Sequence, residues 1–246
     1  MGGAFPRLAA GRLMQGVPAL SVVLPALNEA AGIVAALQAL EPMRRAGAEV
    51  IVVDGGSADR SAELAAALAD QVLVAPRGRA SQMNAGAAAA RGGVLLFLHA
   101  DTRLPDGAER LIAQAMAAGS HWGRFDVRIE GKSAWLPLVA AMMNRRSRLT
   151  GIATGDQAMF VTREAFAAAG GFPDIPLMED IELSRRLLQT GRPACLTARV
   201  TTSGRRWEAQ GVWRTILRMW WLRLRFFFGA DPRRLAVDYG YAPRES

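Results

Sequence analysis

The chain is poor in cysteine, lysine and histidine. A single cysteine, Cys195, stands in 246 residues. That excludes an intrachain disulfide framework and suits a reducing cytoplasm. Apart from Lys132, every basic residue is an arginine, and the net charge is +8. So uniform a skew fits a GC-rich coding sequence better than selection for nucleic acid, and no nucleic-acid partner is expected. No apolar run approaches the roughly 18 residues that span a bilayer. The first residues lack a signal peptide's order of basic, apolar and small-residue stretches. A cytoplasmic protein is expected, with peripheral attachment to the inner face of the membrane as its one route to lipid. Positively, 51% hydrophobic residues and 25 glycines describe an ordinary globular chain able to bury a large core.

Residues 1–18, rich in Gly, Ala and Arg, read as a loose leader. Apolar strands then alternate with helical stretches. Strands are expected at Leu20–Leu24, Val50–Val53, Val72–Val74 and Val94–Leu98, with helices through Ile33–Leu40, Ala62–Ala69 and Ala80–Ala90. Strands apolar throughout, separated by helices, predict an α/β fold with a mainly parallel, Rossmann-like sheet covered on both faces. Ligands of such sheets bind beyond the carboxyl ends of the strands. After residue 119 the alternation fades. Arg124–Ile129 and Met159–Val161 read as strands, and Ala134–Met143 as a helix broken by Pro137. Glu164–Ala169 and Glu179–Gln189 read as further helices. One α/β unit is placed at 19–203, with a regular half at about 19–118 and a less regular half at about 119–203. A basic, aromatic, amphipathic helical segment follows at 204–246.

Three strands end in polar groups at the ligand edge: Pro25-Ala26-Leu27-Asn28-Glu29, Asp54-Gly55-Gly56-Ser57 and His99-Ala100-Asp101. Asp54 suits the base or ribose of a nucleotide, or merely supports its turn, and Ser57 is a candidate helix cap. Asp101, directly after a buried strand, suits a hard cation such as Mg²⁺ or Mn²⁺ bridging two phosphates, or a simple turn. Asp106 reads as the cap of the next helix. Asp156 and Gln157 follow Gly155 and suit either an acceptor pocket or a plain turn. Arg205, Arg206 and Trp207 form a compact basic-aromatic group, fit for a diphosphate or for the solvent.

The set LPALNEA (24–30), VIVVDGGSADRSAEL (50–64), GRASQMNAGA (78–87), LLFLHADTRLP (95–105) and MEDIELSRRL (178–187) resembles the family-2 glycosyltransferases of GT-A fold. The stretch GDQAMFVTREAFAAAGGFPDIPLMEDIELSRRL, with SGRRWEAQG after it, resembles the bacterial subgroup associated with radical-SAM and selenodomain proteins. The resemblance implies an inverting transferase, of hexosyltransferase class, using a nucleotide diphosphate-sugar and a divalent metal, Mn²⁺ or Mg²⁺. Pro25, Ala26, Leu27 and Glu29 would line the base and ribose, with Asp54 on the base and Arg79 reaching the nucleotide. Ala100 and Asp101 would be the last two positions of the family's Asp-x-Asp, and Asp180, beside Glu179, the general base. His99 departs from that motif. It is a candidate transition-metal ligand but brings no negative charge, so weaker metal binding or a preference for Mn²⁺ is expected. An arginine of the Arg205–Trp207 group would neutralise the diphosphate.

Within 213–228, Trp213, Ile216, Leu217, Trp220, Trp221, Leu224, Phe227 and Phe228 recur at helical spacing, with Arg214, Arg218 and Arg225 opposite. The helix either packs on the catalytic unit with its polar side in water or lies in an anionic membrane interface. The latter would fit a lipid-linked acceptor, although nothing in the sequence requires one. Two rival functions remain. A nucleotidyltransferase would carry a Gly-rich, basic loop after the first strand, where Ala26-Leu27-Asn28-Glu29 stands. A non-enzymatic membrane- or nucleic-acid-binding protein would not need Asp54, Asp101 and Asp180 together.

Overall fold

A computed structural model describes residues 19–241. The expected leader at 1–18 lies outside them. In chain order the first half comprises β1 (Leu20–Ala26), α1 (Ile33–Arg45), β2 (Glu49–Asp54), α2 (Ser61–Ala66), β3 (Gln71–Val74), α3 (Arg79–Ala89) and β4 (Val94–Phe97). Then come β5 (Thr102–Arg103), α4 (Ala108–Ala117), β6 (Trp122–Glu130), α5 (Leu136–Thr150), β7 (Phe160–Thr162), α6 (Arg163–Ala168), α7 (Glu179–Leu187) and β8 (Ala194–Ser203). The chain closes with α8 (Arg205–Gln210), α9 (Val212–Phe227) and α10 (Pro232–Tyr239).

One eight-stranded sheet runs β3-β2-β1-β4-β7-β6-β8-β5. Its first four strands are parallel, as βα alternation dictates. Beyond β4 the sheet is mixed. β7 runs antiparallel to both β4 and β6, β6 and β8 are parallel, and β5 is antiparallel to β8. Strand residues alternate between two cores. Val22, Leu24, Val50 and Val52 pack on one face with α1 and α5 residues. Val23, Ile51 and Val53 pack on the other with Met83, Phe166, Leu183 and Leu187. Gly86 lets α3 lie close to that second face, since a Cβ there would sit 2.4 Å from Val23 Cγ1.

Several local expectations change. Pro137 does not break a helix: α5 begins at Leu136 and Pro137 occupies its first turn, where a missing N–H is harmless. Asp106 does not cap α4, whose N-cap is Gly107 in left-handed conformation. Ser57 does not cap α2, which begins after Arg60. Its hydroxyl instead joins two loops, as described below. β8 went unread in the sequence because only Val200 and Thr202 of its ten residues are buried, so it carries no apolar run.

At the edge far from the strands' carboxyl ends, Glu49 closes the sheet. Its carboxylate accepts from Ser21 Oγ (2.6 Å), Gln71 Nε2 (3.1 Å), the Arg91 N–H (2.8 Å) and Arg91 Nε (2.7 Å). Burial raises its pKa, but the Ser21 and Arg91 hydrogen bonds outweigh that and hold it below the usual range. A second polar staple lies beneath α5. Arg124, fully buried, pairs with Asp126 and donates to Ser147 Oγ (3.0 Å), while Arg148 meets Asp126 at 2.5 Å.

Candidate active site

At the carboxyl ends of β1 and β4 the chain leaves a cavity of about 630 Å³, within the size range of small-molecule sites. Its first wall is the β1 loop, which contributes Pro25, Ala26, Leu27 and Glu29. Asn28, held at φ 55°, folds this loop against the next one. The Asn28 N–H donates to Ser57 Oγ (2.9 Å), Ala58 N–H to Asn28 Oδ1 (2.9 Å), and Glu29 N–H to Ser61 Oγ (2.7 Å). Gln82 of α3 ties both strand ends by donating to the carbonyls of Ala26 and Val53, each at 2.8 Å.

Asp54 lies in that second loop, 4% exposed and outside the cavity wall. Its Oδ2 accepts from the N–H groups of Gly56 and Ser57, each at 2.9 Å, and Ser57 Oγ donates to Oδ1 at 2.5 Å. The turn itself therefore occupies most of the carboxylate's acceptor capacity, with Oδ1 keeping a free lone pair.

The β4 loop brings His99, Ala100 and Asp101 to the cavity, and α3 brings Arg79. β5 starts at the next residue and pairs with the end of β8, where Thr102 Oγ1 donates to Thr202 Oγ1 at 3.1 Å. This strand pairing carries Arg205, Arg206 and Trp207, just beyond β8, to the same cavity. Glu29 feels the result. Burial first and Asp101 second raise its pKa, while Arg205 and Arg79 partly offset them.

The opposite wall holds Asp156, Glu179 and Asp180. Asp180 sits in the first turn of α7, behind Met178 at φ 71°. Its Oδ1 accepts from Ile181 N–H (2.7 Å), which satisfies the helix terminus, and its Oδ2 from Gly155 N–H (2.9 Å). His99 Nδ1 faces Asp156 Oδ1 at 3.6 Å, and the imidazole packs on Gly155, where a Cβ would lie 2.5 Å from Nε2. Burial raises the Asp156 pKa, but His99, Arg79 and Arg206 outweigh it and hold the carboxyl below its ordinary value. Gln157 lies outside the cavity and is fully buried. With Thr154 it forms a capping box that fixes the turn carrying Asp156.

Among the described residues, no group of three or more His, Cys, Asp or Glu side chains is arranged to cage a metal ion. The donor chemistry nevertheless fits a hard cation. Asp101 presents a carboxylate into the cavity beside Glu29, a like charge that a cation would relieve. Mg²⁺ and Mn²⁺ commonly take one or two carboxylates and fill their remaining positions with phosphate oxygens and water. His99 fits less well, since its ring is already engaged between Asp156 and Gly155.

Several charged and aromatic residues of the wall were not foreseen. Arg146 of α5, Arg223 of α9, and Tyr239 and Tyr241 at the C-terminal end all line the cavity. The Arg206 guanidinium lies over the Tyr239 ring, 5.0 Å from its centroid. Only the helical phase of α5 and α9 could have hinted at the arginines, and α9's phase misleads. Val212, Thr215 and Leu222 face the protein, whereas Trp213, Leu217, Trp221, Leu224, Phe227 and Phe228 are exposed. The helix thus packs on the catalytic unit and still presents an apolar face outward.

The family model for Glycosyl transferase family 2 matches residues 21–167, the stretch that builds β1 to β4 and the Asp101 loop. The chain belongs to glycosyl transferase family 2. It is 38% identical over 110 residues to the succinoglycan biosynthesis protein ExoO of Rhizobium meliloti (strain 1021), covering 42% of this chain and 32% of ExoO. Among solved structures it is similar to residues 1–349 of S. aureus TarS in complex with UDP-GlcNAc. That match has a TM-score of 0.62 at 17% identity, over 75% of this chain and 58% of that 1–349 chain. The mannosyltransferase PcManGT of Pyrobaculum calidifontis, in complex with GDP-Man and Mn²⁺, aligns at a TM-score of 0.60 and 21% identity. It covers 93% of this chain and 67% of PcManGT. The family-2 chain thus spans about a third of ExoO, and the two solved structures share its fold.

Proposed function

We propose that the chain transfers a sugar from a nucleotide diphosphate-sugar to an acceptor hydroxyl, inverting the anomeric carbon with the help of Mn²⁺ or Mg²⁺. The observation that carries this reading is a single cavity holding Asp101, the Arg205–Arg206 pair and Asp180. Pro25, Ala26, Leu27, Glu29 and Ala100 would line the nucleotide, Arg79 would reach its phosphates, and Asp54 would meet the base through Oδ1. Asp101 would hold the metal. When bound, the metal would neutralise charge on the departing diphosphate. His99 would join it only by leaving Asp156; as it stands, its service is to orient that carboxylate beside the acceptor.

Asp180 would take the proton from the acceptor hydroxyl. The hydroxyl oxygen bonds to the anomeric carbon as the bond to the diphosphate oxygen breaks, and the nucleoside diphosphate leaves with that electron pair. The arginines at 205 and 206 would balance its charge. Membership of the radical-SAM-associated subgroup is supported by the residue pattern at 155–187 and 203–211. The nucleotidyltransferase alternative lacks a Gly-rich basic loop after β1. A degenerate, non-enzymatic site would have no need of a cavity this size. The test is a thermal-shift screen of nucleoside diphosphates with Mn²⁺ and Mg²⁺, followed by hydrolysis of each nucleotide sugar. Stabilisation by at least one diphosphate is expected, and binding of none would overturn the proposal.

We also infer peripheral attachment to anionic membranes, with a lipid-linked acceptor as the fitting substrate. Trp135, the N-cap of α5, meets Trp213 of α9 edge-on, with ring centroids 4.9 Å apart. Leu138, Leu217, Trp220 and Trp221 extend this exposed face. Arginines flank it on α9, the mix that suits an interfacial helix. No helix among the described residues is long and apolar enough to cross a membrane.

A further inference from the structure

The cavity holds more positive charge than a diphosphate accounts for. Arg205 and Arg79 act on Glu29, on the side where the donor is expected, and Arg79 and Arg206 also act on Asp156. Arg146 and Arg223, on α5 and α9, share Asp156 with them and act on Asp180 as well. Nε and Nη2 of Arg146 and Nε of Arg223 are buried, with no hydrogen-bond partner among the described residues. Buried guanidinium donors ordinarily have partners. Here burial first and mutual repulsion with Arg223 second push the Arg146 pKa down to about 10, and burial likewise lowers that of Arg223. Two cations left short of acceptors beside the proposed base describe an anion subsite with its occupant missing from the pairing.

We propose that Arg146 and Arg223 seat a phosphoryl group carried by the acceptor, holding the acceptor's hydroxyl towards Asp180. The proposal rests on the glycosyl-transfer reading above and names its acceptor class. Two planar guanidinium forks match the several oxygens and the double charge of a phosphate monoester. Trp213 on α9 and Trp135 at the start of α5 form an exposed face, and Met142 and Trp220 of the same two helices are exposed and also line the cavity. A lipid phosphate would leave its chain along those residues, whereas a water-soluble phosphorylated acceptor would use the arginines alone.

The test titrates inorganic phosphate into the full chain with nucleoside diphosphate and Mg²⁺ already saturating, so that the donor's anion contacts are filled. Saturable stabilisation by phosphate is expected. Arg146→Gln and Arg223→Gln should each weaken it at least about tenfold, and Arg223→Lys, which keeps the charge but not the fork, should weaken it less. An arginine needed only for folding would behave differently. Its loss would lower the melting temperature and leave the phosphate response of the folded fraction intact, and that result overturns the proposal. So does a phosphate response that disappears once nucleoside diphosphate saturates. Failure to bind any nucleoside diphosphate would instead strike the function proposed above, leaving the two failures distinguishable. Transfer assays then offer lysophosphatidic acid in detergent, a lipid with both a phosphate monoester and a free hydroxyl, a soluble sugar phosphate, and the dephosphorylated form of each. Transfer to either phosphorylated acceptor supports the seat and identifies its source, and equal transfer to the neutral forms overturns it.

Discussion

Gly155 joins the two sides of the cavity through one residue. Its N–H donates to Asp180 Oδ2, and its Cα face receives the His99 ring. A methyl added there would lie 2.4 Å from His99 Cε1, so ring or turn must shift. Gly155→Ala is expected to lower turnover by roughly 10²-fold, the scale of an ångström's misplacement in a reacting site, and unchanged kinetics would refute the coupling. Asp180→Asn removes the proposed base while keeping a group able to accept from Gly155. Turnover should fall by about 10²–10⁴ with nucleotide affinity retained. Wild-type activity in that variant would withdraw the base and leave the rest of the site standing. Asp54, His99 and Asp101 were recognisable in the sequence from their place after apolar strands. How far each is free to act was not, because the hydrogen bonds that engage Asp54 and the packing that holds His99 come from neighbours in space.

Among the elements, the parallel half of the sheet divides its labour by edge. The carboxyl ends of β1 and β4 frame the cavity, and the opposite edge is closed by Glu49 with Ser21 and Arg91. Because folding lowers the Glu49 pKa, its contribution is fully present above the unfolded value near 4.5 and is lost as pH falls through the folded value. Glu49→Gln should cost about 1–3 kcal/mol at neutral pH, as buried donors lose acceptors. Urea titrations of both proteins should converge as the pH drops below about 4.5, and a gap that stays constant would rule out this ionisation as the cause. The strands β1, β2 and β4 could be read from the sequence because they are largely buried and therefore apolar, and the edge strand β3, only partly buried, because Val72–Val74 is an apolar run. β8 could not, since it shows polar residues to solvent on much of its length. Yet β8, by pairing with β5 and β6, delivers Arg205 and Arg206.

Across the whole molecule, the C-terminal helices do two things at once. α9 and α10 pack on Leu177 and Met178 through Leu222, Leu235 and Ala236, closing one wall of the cavity. The outer face of α9 keeps Trp213 and Trp221 more than half exposed. Replacing both with serine should weaken sedimentation with phosphatidylglycerol-containing vesicles by about tenfold or more, given the apolar area each ring inserts. Wild-type binding should also fall as salt rises, because arginines flank the same face. Vesicle binding indifferent to both changes would remove the membrane role.

The sequence by itself determined the family and the α/β alternation, and it singled out Asp101 and Asp180 as candidates. These follow from local patterns: apolar strands, polar strand ends and ordered motifs, all written over short stretches of chain. Tertiary structure decided the mixed half of the sheet, the inward phase of α9 and the meeting of Arg146 with Arg223. They lie 77 residues apart by number, 223 less 146, on helices that no local pattern brings together. Only the packing of α5 and α9 around one cavity leaves their buried donors without partners among the described residues, which is the ground for the charged acceptor proposed above.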